Sequence, residues 1–402
     1  MPRPMLFEPL NIRNVTLKNR VVVAPMHQYA AVKGFPTDWH LMNVGRFAAG
    51  GAGLVFVEST KVERRGCGTA GDLGLWDDAF IPHFKRLSDF IKEQNSVSAL
   101  QIGHSGRKAR RFRPWQGGAP LTPEGAKEAG VDDWDDWELV APSALGSSDS
   151  EPEPRALSTA EVKQTVENWG KTAARAHAAG FDILEIHAAH GYLVHQFLSP
   201  KANLRNDEYG GSDLNRMRFA IEITEAVRAN WPDDKPLFMR LSVEDGAGWG
   251  PDESVALSRI VKDKGVDVID CSSGGLGGSP VTTAGPVGYG YQVPYAEKIR
   301  AEADMMTMAV GLIVHAEQAE EILQKGQADL IAIAREFLHN PNWTLDAALK
   351  LGVDGAFKTT PPAYDYWLEK RASSVKGVTP STYFPGADTA ADTAADTQGQ
   401  ST

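Results

Sequence analysis

Residues 181–192 read FDILEIHAAHGY, an apolar run of strand length that ends in His187, His190 and Tyr192. Two imidazoles three residues apart can ligate a metal, relay a proton, or donate hydrogen bonds to an oxygen that gains negative charge. A catalytic zinc ion takes three protein ligands and a water, and neither an H-E-x-x-H pattern nor a carboxylate in ligand spacing accompanies this pair. Asp182 and Glu185 are at hand. In a strand, however, Glu185 and His187 share a face while His190 lies past the strand end, so no compact three-ligand site is implied. No metal is therefore expected. The pair reads as a donor set for an oxyanion, with Tyr192 as a nearby proton donor. A metal-dependent hydrolase is the non-redox alternative, and a pair of hydrogen-bonded core histidines the structural one.

Chemistry of this kind needs a frame, and the chain supplies a repeating one. Short β-branched and apolar runs alternate with longer amphipathic ones, the pattern of βα units around a parallel sheet. The strands are expected at 20–26, 53–59, 98–104, 182–188, 236–242, 267–273, 305–311 and 330–335. Eight units predict an α/β fold of the (β/α)8 TIM-barrel type, with an open doubly wound sheet as the alternative. Ser158 and Ser212 stand where N-caps belong, and Gly180 where a helix-closing glycine does. The stretch 107–155 is rich in Pro, Gly and Asp and includes DDWDDW. It is too irregular for a helix, and reads as a lid-like loop inserted after the third strand or as a solvated acidic loop. The domain is expected over residues 1–370. From 371 to 402 the chain reads as a disordered tail, because ADTAADTAADTQGQST offers almost nothing to bury.

In a barrel, catalytic groups sit where strands stop and βα loops begin. The first strand ends in Pro25, Met26 and His27, with Tyr29 just beyond. The third carries Gln101, the fifth Arg240, the seventh ends at Gly311 and the eighth at Ala334 and Arg335. Polar groups recurring at one end of apolar strands are costly in a core and point to a ligand site. The loops after the last two strands commonly hold a phosphate. Gly311 lets backbone amides approach its oxygens, and Arg335 adds a charge-assisted contact.

A net charge of −11 disfavours nucleic acid or an anionic membrane surface as partner, leaving a small molecule. Two cysteines, Cys67 and Cys271, argue against a disulfide framework and fit a reducing cytoplasm. No stretch has the apolar length of a membrane helix or the form of a signal peptide.

From LFEPLNIRNVTLKNRVVVAPM through QIGHSGRKA, NDEYGG, NRMRF and ADLIAIAREFL to AYDYWLEK, the chain resembles the old yellow enzymes. These are FMN-dependent ene-reductases, and the likeness is to their thermophilic-like and xenobiotic-reductase subgroup. The resemblance implies non-covalent FMN and NADPH or NADH as hydride donor. It places Pro25, Met26, His27, Ser59 and Gln101 along the flavin ring, Arg240 at its N1–C2 edge, and Gly311, Leu312, Ala334 and Arg335 at the phosphate. His187 and His190 would hold the oxygen of an electron-poor alkene and Tyr192 would protonate it, with Tyr29 and Trp367 on the substrate side. Reduction of nitrate esters or nitroaromatics at the same site is the alternative. A homodimer or higher homo-oligomer is implied, with the PPAYDYWLEK segment reaching a neighbouring subunit. The chain departs from the subgroup at His27, where a cysteine is usual, and at Tyr366, near which others carry an arginine.

Overall fold

The computed structural model describes residues 3–148, 150–277 and 287–374. Eight parallel strands close into a barrel in sequence order: β1 Val21–Val23, β2 Leu54–Lys61, β3 Val97–Gly103, β4 Ile183–Ala188, β5 Leu237–Ser242, β6 Val268–Ser272, β7 Met306–Ala309 and β8 Leu330–Ile333, with β8 paired back onto β1. Helices lie between them, which makes the fold a (β/α)8 TIM barrel, as expected. β1 is shorter than the apolar run suggested. Pro25 has no N–H to give to a neighbouring strand, so the ladder stops short of it.

Counting by twos along each strand separates the two faces. Val22, Leu54, Phe56, Ala99, Ile183, Phe238, Val268, Met308, Leu330 and Ala332 form one buried cluster, into which Ile12 and Leu17 also pack. These last two belong to the antiparallel pair Leu10–Ile12 and Val15–Leu17. The alternate residues, among them Val21, Val55, Leu100, Leu184, Met239 and Ile269, pack with residues of the helices in a second, larger core. Continuing the inner set toward the strand ends brings Glu58 after Phe56, Gln101 after Ala99, Glu185 and His187 after Ile183, Arg240 after Phe238, and Asp270 after Val268. The inner face is thus apolar in its lower layers and ionisable at the top.

The helix Thr159–Ala178 shows how local sequence sets its ends. The Ser158 hydroxyl accepts the Glu161 N–H (3.3 Å) while the Glu161 carboxylate accepts the Ser158 N–H (2.8 Å), a reciprocal cap. At the other end Gly180 has φ +83, and the Gly180 and Phe181 N–H groups return to His177 and Ala176. Ser212 caps the helix Asp213–Asn230 in the same manner, accepting the Asn215 N–H at 3.3 Å.

The insertion is more ordered than its composition suggested. A helix, Pro123–Glu128, starts at Thr122, whose hydroxyl accepts the Gly125 N–H (3.1 Å). The expectation of no helix there is corrected: proline at the first helical position plus a threonine cap is a start signal that the surrounding glycines obscure. DDWDDW is solvated only in part: Asp132, Asp135 and Asp136 are exposed, but its second tryptophan is not. Trp137 is fully buried in a small core with Cys67, Leu121 and Ala126, and its indole N–H donates to the Cys67 carbonyl (2.9 Å). Arg64 stacks over the Trp137 ring and pairs with Asp133. Alternating acids and tryptophans here serve an arginine, which takes the charge and the ring together.

The chain divides into two compact units, with the boundary between Pro361 and Pro362. In the second, Pro362–Ser374 is helical and exposes Tyr364, Tyr366 and Trp367. The tail expected from 371 lies, beyond Ser374, outside the described residues. Among the described residues no helix is long and apolar enough to cross a membrane.

Candidate active site

At the top of the barrel, register places the ionisable residues side by side. His187 pairs with Arg240 across β4 and β5, Arg240 with Asp270 across β5 and β6, and Gln101 with Glu185 across β3 and β4. Arg240 Nε lies 3.1 Å from Asp270 Oδ2, and Gln101 Nε2 donates to Glu185 Oε1 (2.7 Å). Burial pushes both carboxyls up, and the Arg240 guanidinium opposes it.

Beyond β4 the chain turns back sharply. His190 has φ +59 and Gly191 φ +70, both in the left-handed region. A Cβ on Gly191 would stand 2.3 Å from the Gly275 carbonyl oxygen, so only glycine fits where this turn crosses the β6 loop. The turn is tied down by Ser242, whose hydroxyl accepts the His190 N–H (2.9 Å), and by Lys108, whose ammonium donates to the His190 carbonyl (2.9 Å). As a result His187 and His190 meet edge to face with ring centres 5.2 Å apart, and Tyr192 lies 4.9 Å from His187. The three side chains expected to act together are together.

Their protonation follows from enclosure. Burial, then the neighbouring His190 and Arg240, holds His187 well below the ordinary imidazole value. His190 is lowered in the same way by burial, Arg240 and Lys108. Both rings are therefore neutral at neutral pH. His190 Nε2 is 2.8 Å from Ser272 Oγ. The Ser272 hydroxyl donates to Gln292 Oε1 (3.3 Å), which also accepts the Ser273 hydroxyl (2.7 Å). Burial raises the Tyr192 phenol well above its usual value, which keeps it protonated and able to give a proton.

A cavity of about 280 Å³, just under the usual range for ligand pockets, adjoins His190 and Arg240. His190, Arg240, Gly311, Leu312, Ala334 and Arg335 all line it. Pro25, Met26, His27, Ser59, Gln101 and His187 do not; they stand on the β1–β4 arc of the rim. Ser59 accepts a hydrogen bond from the buried Lys61 (3.1 Å), and Met26 gives its carbonyl to Gln28 Nε2 (2.9 Å). Tyr29, with φ +53, stacks on His27 at 5.2 Å, and its carbonyl accepts from Arg113 Nε of the insertion (2.8 Å). Trp367 belongs to the second unit and is exposed.

Sequence reading passed over Glu58, His40 and Lys61. Glu58 and Lys61 interrupt the otherwise apolar run LVFVESTK, and that interruption was the available signal. Among the described residues no three His, Cys, Asp or Glu side chains are grouped to hold a metal.

Residues 5–352 match the NADH:flavin oxidoreductase / NADH oxidase family. The chain belongs to this family, the old yellow enzymes. It is 42% identical over 353 residues to an NADPH dehydrogenase of Bacillus subtilis (strain 168), covering 87% of this chain and 96% of that one. Among solved structures, a 2-naphthoyl-CoA reductase superposes with a TM-score of 0.75 at 25% identity, over 87% of this chain and about half (52%) of that one. The old yellow enzyme homologue from Zymomonas mobilis gives a TM-score of 0.69 at 26% identity, over 90% and 99%. This old yellow enzyme is thus an NAD(P)H-dependent oxidoreductase with FMN as cofactor. The residues present fit that group. Gly311, Leu312 and Arg335 line one cavity, where the guanidinium suits a phosphate. His187 Nδ1 is buried and makes no hydrogen bond among the described residues, as befits a group completed by a ligand.

Proposed function

We propose that this enzyme reduces alkenes conjugated to an electron-withdrawing group: α,β-unsaturated ketones, aldehydes, imides and nitroalkenes. The observation that carries the reading is the convergence of two neutral imidazoles and a protonated phenol beside a cavity lined by Arg240 and Arg335. Bound FMN would supply the hydride chemistry that links NAD(P)H to the alkene. His187 and His190 hold the substrate's carbonyl or nitro oxygen. Because that oxygen gains charge as the reaction proceeds, neutral donors fixed in a water-poor site stabilise the transition state more than the bound substrate. Tyr192 gives its proton to the carbon alpha to the activating group.

Gly311, Leu312, Ala334 and Arg335 would hold the cofactor's phosphate, Arg240 would offer its charge to the flavin ring, and Pro25, Met26, His27, Ser59 and Gln101 would make its remaining contacts. Tyr29 borders the substrate, and the insertion covers it as a lid, since Arg113 holds the Tyr29 carbonyl and Trp115 meets its ring edge-on at 5.6 Å. A homodimer is part of the same reading, with Trp367 offered to a neighbouring subunit from the exposed aromatic face of its helix.

Anaerobic bleaching of the purified yellow protein by NADPH, followed by reoxidation with 2-cyclohexenone, tests the reading. His190→Ala is expected to slow the reoxidation about a hundredfold, the usual loss for one oxyanion donor. A protein that takes up no FMN sinks the proposal. Bleaching without reoxidation by enones redirects it to another acceptor, such as a nitrate ester or a nitroaromatic.

A further inference from the structure

Behind Tyr192 stands a chain of ionisable groups drawn from three further elements. Tyr192 Oη is 3.2 Å from His27 Nε2. His27 Nδ1 is 3.4 Å from Glu58 Oε2, and Glu58 Oε1 is 3.0 Å from His40 Nε2. The ring–carboxylate approaches are ion-pair contacts rather than aligned hydrogen bonds. The neighbours fix where protons sit. The Thr37 backbone N–H donates to His40 Nδ1 (3.0 Å), so that nitrogen is bare and the His40 proton is on Nε2, against Glu58. The Gln28 N–H also donates to Glu58. Burial acts to raise the Glu58 carboxyl, and the two imidazoles outweigh it, holding the group below its usual range. An ionised Glu58 keeps a proton on His27 Nδ1 and leaves Nε2 facing the tyrosine.

Other groups near the phenol are placed differently. Lys61 lies over the Tyr192 ring face, 4.9 Å from its centre, with its ammonium engaged by Ser59 and Asp72. Ser105 is close enough to affect the phenol, yet its hydroxyl makes no aligned hydrogen bond among the described residues. His27 itself is faced by Glu58 and His40 on one side, Tyr29 and Tyr192 on the other, with His187 and His190 across the rim.

We propose that His27 is a positioning residue for Tyr192 and the source of its replacement proton: with Nδ1 set against Glu58, its Nε2–H is donated to the Tyr192 oxygen. The proposal rests on the reading of Tyr192 as proton donor. With that hydrogen bond in place the phenol's own proton is turned toward the substrate. As the Tyr192 O–H bond breaks and a C–H bond forms on the substrate, the His27 Nε2–H bond breaks and the O–H bond of Tyr192 re-forms. No electrons leave the pair. His27 is left neutral with its proton on Nδ1, and a proton from solvent restores the second.

The test is single-turnover reoxidation of NADPH-reduced enzyme by 2-cyclohexenone across pH, for wild type, His27→Gln, Tyr192→Phe and the double variant, each corrected for FMN content. Nitrogen NMR of protein labelled in its histidine rings accompanies it. The wild-type rate is expected to fall as pH rises and the His27 resonances lose the second proton together. His27→Gln is expected to be slower by about tenfold or more, the lower reach of general acid–base effects, and to lack that pH limb. In the Tyr192→Phe background it should change nothing further. A wild-type pH profile in His27→Gln, additive losses in the double variant, or a His27 ring that stays neutral where the rate is full would each overturn the relay. Tyr192→Phe reacting at the wild-type rate would remove the donor reading itself, a result seen without any change at His27.

Discussion

His187 sits between Arg240 and His190 on the rim of the barrel, and its environment refuses a proton that water would grant. The consequence for stability has a definite sign. Below the ordinary imidazole value of about 6.5, the unfolded chain binds a proton at this position and the folded one does not, so stability falls as pH drops. We expect wild-type unfolding free energy to decline between about pH 7 and pH 5 more steeply than that of His187→Gln, by up to roughly 1.4 kcal/mol per pH unit. Urea melts at several pH values measure it, and parallel slopes would contradict it. At this scale much was legible: His187, His190, Tyr192 and Arg240 are polar groups ending apolar strands. Glu58 carried the same signal, but its importance lies in His27 and His40, which only the closed barrel brings to it.

Elements decide whether those residues meet. The turn His190–Gly191 is held against the β6 loop by a contact with room for hydrogen alone, and Gly191→Ala would place a Cβ 2.3 Å from the Gly275 oxygen in a left-handed backbone. The expected cost is about 1–3 kcal/mol of stability. Reoxidation by enone should suffer more than bleaching by NADPH, because the His190 ring moves with the turn. Equal losses in the two half-reactions would show that the turn does not set the donor pair. The helix starts at Ser158 and Ser212 and the stop at Gly180 were readable because caps are local. The insertion was misread because Trp137 is buried by partners remote in sequence, Cys67 and Arg64, that no local pattern announces.

Over the whole molecule, the barrel accounts for the site and the helix Pro362–Ser374 for the proposed assembly. Three exposed aromatics on one helix, Tyr364, Tyr366 and Trp367, make a surface more suited to a protein partner than to water. Light-scattering mass measurement should return a dimer or higher oligomer for the wild type. Trp367→Ala should shift it toward monomer or weaken substrate affinity while FMN remains bound. A monomeric wild-type protein of full activity would remove the shared-pocket reading.

Short apolar runs alternating with longer amphipathic ones, repeated eight times, pointed to the barrel from sequence alone, since an apolar strand run and a helix's cap are properties of neighbouring residues. The same alternation announced which strand ends would be polar. Tertiary structure decided what those ends face. It put Gly275 against Gly191, set His27 rather than solvent beside the Tyr192 hydroxyl, and placed Glu58 between two imidazoles. Contacts across a closed barrel join residues far apart in the chain, and their hydrogen bonds and charges exist only once the sheet has closed.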